Sequence, residues 1–346
     1  MHTRHDDMTM NTSAKDAERF QQFIRAMQGK PYACLALPDD SNRVRVKVEI
    51  VGGREVMHEY AYDEAGRLAM VRRDGNVTEE YAYDELGRRS EDRCQAWGMQ
   101  QRRHEYGPDD RLLRTGDATF EYDDAGRLKR RKEPGRGDFI CRYTPLGFLG
   151  VARLPDLRWI SYDRDGECRR TARRVDNRKV ESYGWDRQGR LEWFFNAMTG
   201  ETSWFEYGGD DERLPASMQC RGKRYTLGWD QAGSLRAVID GQGEVVKEID
   251  YDAFGFILTE TAPEMRIPFG FAGGLQDRDT GLIRYRFRDY VPDIGRFTAK
   301  DPIGCKGGDG ALRGYGLGDP VNGMHPGRKS GGGRGQGGTE EPQPAL

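Results

Sequence analysis

Two aspartates, Asp289 and Asp301, lie in the segment RDYVPDIGRFTAKD, where acidic and basic side chains crowd around Pro-Asp-Ile-Gly at 292–295. Carboxylates held close together cannot both ionise easily, so one keeps its proton. Such a pair can act as acid and base, one member activating water and the other protonating a leaving group. Arg288 stands next to Asp289 and supplies a cation to orient one of them. The same residues also fit plain turn chemistry, with the carboxylates and arginines salt-bridged in a hairpin. The sequence leaves both readings open, because a bulge at Gly295 would flip the facing of every later residue.

The elements that must position these residues are β-hairpins. Pro292 fits the second corner of a tight turn, Gly295 takes positive φ, Asp293 falls in the turn, and Pro302 ends the second strand. The rest of the chain repeats this economy. Its 46 glycines are about twice the usual share of roughly 7%, and they recur in ten units that begin at Tyr62, Tyr83, Tyr106, Tyr122, Tyr143, Tyr162, Trp185, Tyr207, Trp229 and Tyr251. The spacings are 21, 23, 16, 21, 19, 23, 22, 22 and 22 residues. In YDEAGRL and its relatives, the ring ends a strand, the aspartate bonds its own turn, and the glycine four residues after the ring accepts positive φ. A second turn such as Asp74-Gly75 returns the chain toward the next ring. The spacing predicts an all-β ribbon of consecutive hairpins.

YDxxGRL units at this spacing resemble the YD repeats of Rhs proteins. The segment PFGFAGGLQDRDTGLIRYRFRDYVPDIGRFTAKDPIG, from Pro268 to Gly304, resembles the Rhs repeat-associated core. The resemblance implies a ribbon that curls into a partial β-cocoon shell, with the core as its plug. It also implies a toxin as the usual cargo, and aspartyl autoproteolysis with Asp289, Asp301 and Arg288 as the catalytic residues. About 20 strands of ~25 Å give a wall of roughly 2,400 Å², against the 6,000–7,000 Å², on the order of magnitude, that an ordinary toxin domain exposes. Such a wall cups a guest without enclosing it. Rhs cores continue into a DPxGL sequence that is cut after its leucine. Here His325 replaces the aspartate and Arg328 the leucine, so any enzymatic activity is expected to be at most a single self-cleavage with a degraded cleavage motif.

Composition narrows the remaining classes. A net charge of −2 excludes a strong global attraction to nucleic acid, and no apolar run is long enough for a membrane span. The polar N-terminus lacks a secretory signal, which predicts a cytoplasmic protein, exported if at all by a specialised secretion system. His2, His5, His58, His104 and His325 and the six cysteines show no ligand spacing, so neither metal nor cofactor is expected. Ala17, Phe20, Phe23, Ile24 and Met27 share one face of a predicted helix capped by Ser13 and stopped by Gly29, placed to cover the ribbon's first edge. The expected organisation is an N-terminal segment at 1–40 with a helix at about 13–28, a YD-repeat shell at 41–260, a core plug at 261–323 and a disordered tail at 324–346. The leading reading is a structural shell and plug fragment of a polymorphic toxin delivery system, without a toxin domain of its own. The alternatives are a self-cleaving aspartyl autopeptidase and a module that binds carbohydrate or a partner protein. Expected partners are a toxin cargo, another Rhs chain or a secretion-apparatus protein.

Overall fold

The computed structural model describes residues 14–209, 212–300 and 313–322. Asp301, the Ser13 cap and the expected tail lie outside the described residues. Among the described residues, 22 strands from Tyr32–Pro38 to Ile257–Glu260 form one antiparallel sheet in which each strand pairs with its neighbour in sequence. The fold is the all-β hairpin ribbon, with one helix, Ala14–Ala26. Phe20 and Phe23 of the helix pack on Leu35, Leu37, Val46, Val48 and Met57. The helix therefore covers a face of the first three strands and not merely the first edge, because alternating valines make that face apolar. No helix among the described residues is long and apolar enough to cross a membrane.

Two kinds of turn alternate along the ribbon. At Asp74-Gly75 both φ angles are positive, 49° and 79°, and Arg73 faces Asn76 across a two-residue loop. The twist of such a loop matches that of its strands. The wider turn is built by aspartate. The Asp63 carboxylate accepts from the Arg67 amide at 2.8 Å, while Gly66, at φ 81°, donates to the Asp63 carbonyl at 2.9 Å.

The arginine that closes the wider turn ties it to the next unit. In five turns the arginine Nε donates to the aspartate at 2.7 Å: Arg67 to Asp63, Arg88 to Asp84, Arg127 to Asp123, Arg169 to Asp165 and Arg190 to Asp186. Each guanidinium also lies over the ring that begins the next unit, 4.6 Å from Tyr83, 4.6 Å from Tyr106, 4.8 Å from Tyr143, 6.0 Å from Trp185 and 4.4 Å from Tyr207. The rings in turn donate to a carbonyl of the preceding unit, as Tyr143 does to Leu128 at 2.9 Å and Trp185 to Arg170 at 2.7 Å. Aspartate, arginine and ring thus form a clamp repeated along the wall.

The clamp corrects the phase of the sixth unit. Asp165, not Asp163, makes the turn, with Arg169 donating to it through both backbone and side chain. The ring position is then Arg164, 21 residues after Tyr143 and 21 before Trp185. Arg164 donates to the Leu149 carbonyl at 2.6 Å, as a ring would, and lies 5.5 Å from Phe148, which occupies the usual arginine position. The cation and the ring have exchanged places, and the pairing survives. Tyr162 belongs instead to the buried stripe of Tyr60, Tyr81, His104, Phe120, Cys141, Tyr183 and Phe205, each two residues before a ring position.

The ribbon curls until its beginning meets its end. Val51 and Tyr32 pack with Ala237 and Ile239, and Glu49 accepts from Arg236 at 3.1 and 3.2 Å. These are side-chain contacts; no ladder closes the sheet among the described residues. Inside the curl, strands Leu275–Gln276, Ile283–Tyr285, Arg288–Val291 and Arg296–Phe297 form a second, four-stranded sheet. Its Ile283, Tyr285, Tyr290 and Phe297 pack against wall residues Tyr183, Phe194, Phe205, Leu227 and Ile249.

The corrected phase is testable by denaturation. Cys168 occupies the turn position at φ 63°, where seven of the other units use glycine, whereas Gly166 is not in the left-handed region and would accept a Cβ freely. Cys168→Gly is expected to stabilise the chain by about 0.5–1 kcal/mol and Gly166→Ala to be neutral, while Gly147→Ala costs about 1–2 kcal/mol. Equal losses from Gly166→Ala and Gly147→Ala would restore the phase set by Tyr162.

Candidate functional site

The segment that carries the predicted acidic pair is a hairpin. Arg288–Val291 pairs with Arg296–Phe297, a short turn at Pro292–Ile294 connects them, and Gly295 sits at φ 66°. Asp293 lies in that turn and accepts from Arg131 at 3.1 and 2.7 Å. Burial works to raise its pKa, but Arg131 outweighs it and holds the carboxyl below its ordinary value.

Asp289 is buried, with only 1% of its surface exposed. One carboxylate oxygen accepts from Arg170 of the wall at 2.6 Å and the other from Arg284 of the neighbouring strand at 2.8 Å. Arg288 lies with its guanidinium 3.8 Å from the Phe297 ring. Asp301, the second carboxylate of the predicted pair, lies outside the described residues. With both oxygens of Asp289 engaged by guanidinium donors, its visible chemistry is that of an anchor between core and wall.

Similar anchors surround the core. Asp277 accepts from Tyr162 at 2.5 Å and from Arg173 at 3.1 Å, Arg296 pairs with Asp110 at 2.7 Å, and Asn322 donates to the Tyr62 hydroxyl at 2.8 Å. Sequence reasoning missed Arg170, although a signal existed. In the repeat, the position after the turn holds a buried leucine, as in Leu68, Leu128 and Leu149, and in the correctly phased sixth unit it holds Arg170. Arg89 makes the same replacement in the second unit and lies 4.5 Å from Phe254 and 3.5 Å from Asp92.

A second polar cluster lies where the first strands meet the last. A cavity of about 40 Å³ is lined there by Lys47, His58, Glu79, Asp230, Arg236 and Asp252 among others. It has room for a few waters and not for a substrate. Lys47 pairs with Glu49 at 2.9 Å, and burial pushes His58 down to about 4. Burial also pushes Glu79 up to about 7, even though Tyr81 donates to it at 2.5 Å and the Ala253 amide at 2.9 Å. Asp252 is raised by burial and then by Glu79. The hint in the sequence is VRVKVEIV, in which Lys47 and Glu49 share one face of a strand.

Comparison with known proteins places this architecture. The model of the teneurin YD-shell matches residues 36–306. The chain belongs to that family. The YD-repeat identification read from the sequence therefore stands, and with it the reading of the wall as a structural shell. The chain is 29% identical to Teneurin-1 of Gallus gallus over 193 residues, which is 55% of this chain and 7% of that protein. It is 36% identical to Teneurin-m of Drosophila melanogaster over 88 residues, 25% of this chain and 3% of that protein. The chain thus spans less than a tenth of the length of these relatives. Among solved structures, the TcdB2-TccC3-Cdc42 crystal structure matches with a TM-score of 0.37 and 15% identity, over 85% of this chain and 21% of that one.

The seam makes stability depend on pH. Glu79 is held near 7 in the fold against an ordinary 4.5. Below 4.5 both the folded and unfolded states are protonated there and nothing is lost. As pH rises from 4.5 to about 7 the unfolded chain releases its proton while the fold retains it, which destabilises the fold by an amount that levels off above about 7. Glu79→Gln removes this penalty, so its stability relative to the parent should improve by a few kcal/mol across that window. His58 acts in the opposite sense in both proteins and cancels in the comparison. Chemical denaturation at a series of pH values checks this, and a difference independent of pH would contradict it.

Proposed function

We propose that this chain is a structural shell and plug element of an Rhs-type toxin delivery system. Its work is to hold a curled β-wall around its own core segment. The observation that carries this reading is the set of core-to-wall anchors, led by Arg170 and Asp289, which bind the Rhs-like core segment on several sides of the interior. The core side chains pack where a guest would otherwise lie, which supports a scaffold more than a container. Strands Tyr32–Pro38 and Ile257–Glu260 each ladder on one side only among the described residues, which suits another shell chain as partner.

The test separates scaffold from self-cleaving peptidase. Purified protein incubated for days at neutral pH is expected to remain at 39.4 kDa by mass spectrometry, and Asp301→Asn is expected to behave identically. Release of a C-terminal fragment that Asp301→Asn abolishes would replace this reading with an autopeptidase.

A further inference from the structure

The wall closes on itself by side-chain contacts, and two buried carboxyls lie on the two sides of that closure. Glu79 comes from strand Asn76–Tyr83 and Asp252 from the turn after Val245–Tyr251; both are 4% exposed, and both line the cavity at the seam. Glu79 accepts from the Ala253 amide at 2.9 Å and so touches the residue next to Asp252. One oxygen of Asp252 accepts from the Phe254 and Phe256 amides at 2.9 and 2.8 Å, and the Cys94 thiol lies 3.9 Å from the other. The cations around them are engaged by other carboxylates. Arg89 is 3.5 Å from Asp92, Lys47 pairs with Glu49, Arg236 with Glu49 and Asp250, and Arg73 with Asp250. Asp230 adds a further carboxylate beside the cavity, 3.9 Å from Lys47, and His58 lies 3.5 Å from Glu49. From the core, the Tyr290 hydroxyl donates to the Phe254 carbonyl at 2.7 Å. Two neighbouring carboxyls buried in this way cannot both ionise without a large cost.

We propose that Glu79 and Asp252 form a proton-held latch: while the pair keeps a proton the seam stays shut, and when both ionise the turn at 252–256 parts from strands Asn76–Tyr83 and Arg89–Cys94. No strand pairing has to break for this, since no ladder closes the sheet among the described residues. What holds the turn otherwise is aromatic packing, Phe254 on Tyr81 at 4.9 Å and Phe256 on Trp97 at 5.7 Å. Burial pushes Glu79 up to about 7 and raises Asp252, which Glu79 raises further. In an opened seam Glu79 returns to its ordinary 4.5, so opening becomes easier as pH rises from 4.5 to about 7 and levels off above. His58, in the same cavity, works in the opposite sense, because burial holds it down near 4 and opening lets it protonate below its ordinary 6.5. The latch rests on the fold and not on the toxin-delivery reading, so either can fail without the other.

The experiment is thiol labelling of the full chain with 4,4′-dithiodipyridine at pH 5 and pH 8, with each cysteine followed by peptide mass spectrometry. Cys94, fully buried against Asp252, reports the seam, and Cys141, buried in the middle of the wall, reports unfolding of the whole. At pH 8 the parent is expected to label at Cys94 at least tenfold faster than at Cys141. Glu79→Gln, which can still accept from Tyr81 and Ala253, should slow Cys94 at least tenfold at pH 8, with the difference from the parent shrinking to a few-fold at pH 5. Comparing variants at one pH cancels His58 and the thiol's own reactivity. If Glu79→Gln does not fold, Asp252→Asn, whose side-chain oxygen still accepts from the turn amides, should give the same pattern. The proposal is overturned if Cys94 and Cys141 label together at pH 8, if the variant that folds labels as the parent does, or if its difference from the parent is the same at both pH values.

Discussion

An arginine that bonds the aspartate of its own turn and covers the aromatic ring of the next unit is the interaction on which this structure depends. The ion pair alone would contribute little, since these side chains are partly solvated. The stacked guanidinium contributes ~0.5–1 kcal/mol at such a site. What matters is that the same group does both jobs, so the position of each turn is set by the one before it. Repeat arrays of this kind draw stability from nearest-neighbour interfaces summed along the chain. The exchange of Arg164 and Phe148 shows that the pairing, not the residue order, is what the sixth unit retains.

Once the phase is set, alternation along each strand decides what faces the interior. Most of those positions are large apolar or aromatic side chains, and they close over the core's own aromatic residues. A few are charged, and these single out the contacts between core and wall. Replacing a buried ion pair by apolar side chains is often neutral or stabilising, whereas removing one partner is costly. Arg170, Arg173 and Arg131 therefore contribute register more than net stability: each demands a carboxylate from the core at one place and tolerates no slip.

Much of this was legible in the sequence. The recurring rings, aspartates and glycines predict the hairpin ribbon, Asp74-Gly75 predicts its two-residue turn, and Pro292 to Gly295 predicts the hairpin of the core. The sixth unit misled because Tyr162-Asp163 and Gly166 imitate the motif two residues early, while the true ring position holds an arginine and the true turn position a cysteine. That slip hid Arg170, whose role appears only when it is aligned with the buried leucines. Of the seam, only the charged face of VRVKVEIV was legible, and not its partners. Glu49 and Arg236 are 187 residues apart, and only the curvature accumulated over the whole ribbon brings them together. The partner of Asp289 was likewise a matter of three-dimensional closure, since Arg170 comes from a wall strand 119 residues away.

The most direct measurement is a double-mutant cycle on one clamp, Arg127 and Tyr143, read by urea denaturation of the full chain. Arg127→Gln and Tyr143→Leu each remove one side of a contact 4.8 Å across. The account predicts a coupling energy of about 0.5–1 kcal/mol between them. Strict additivity of the two losses would contradict it and reduce the clamp to a coincidence of neighbouring side chains.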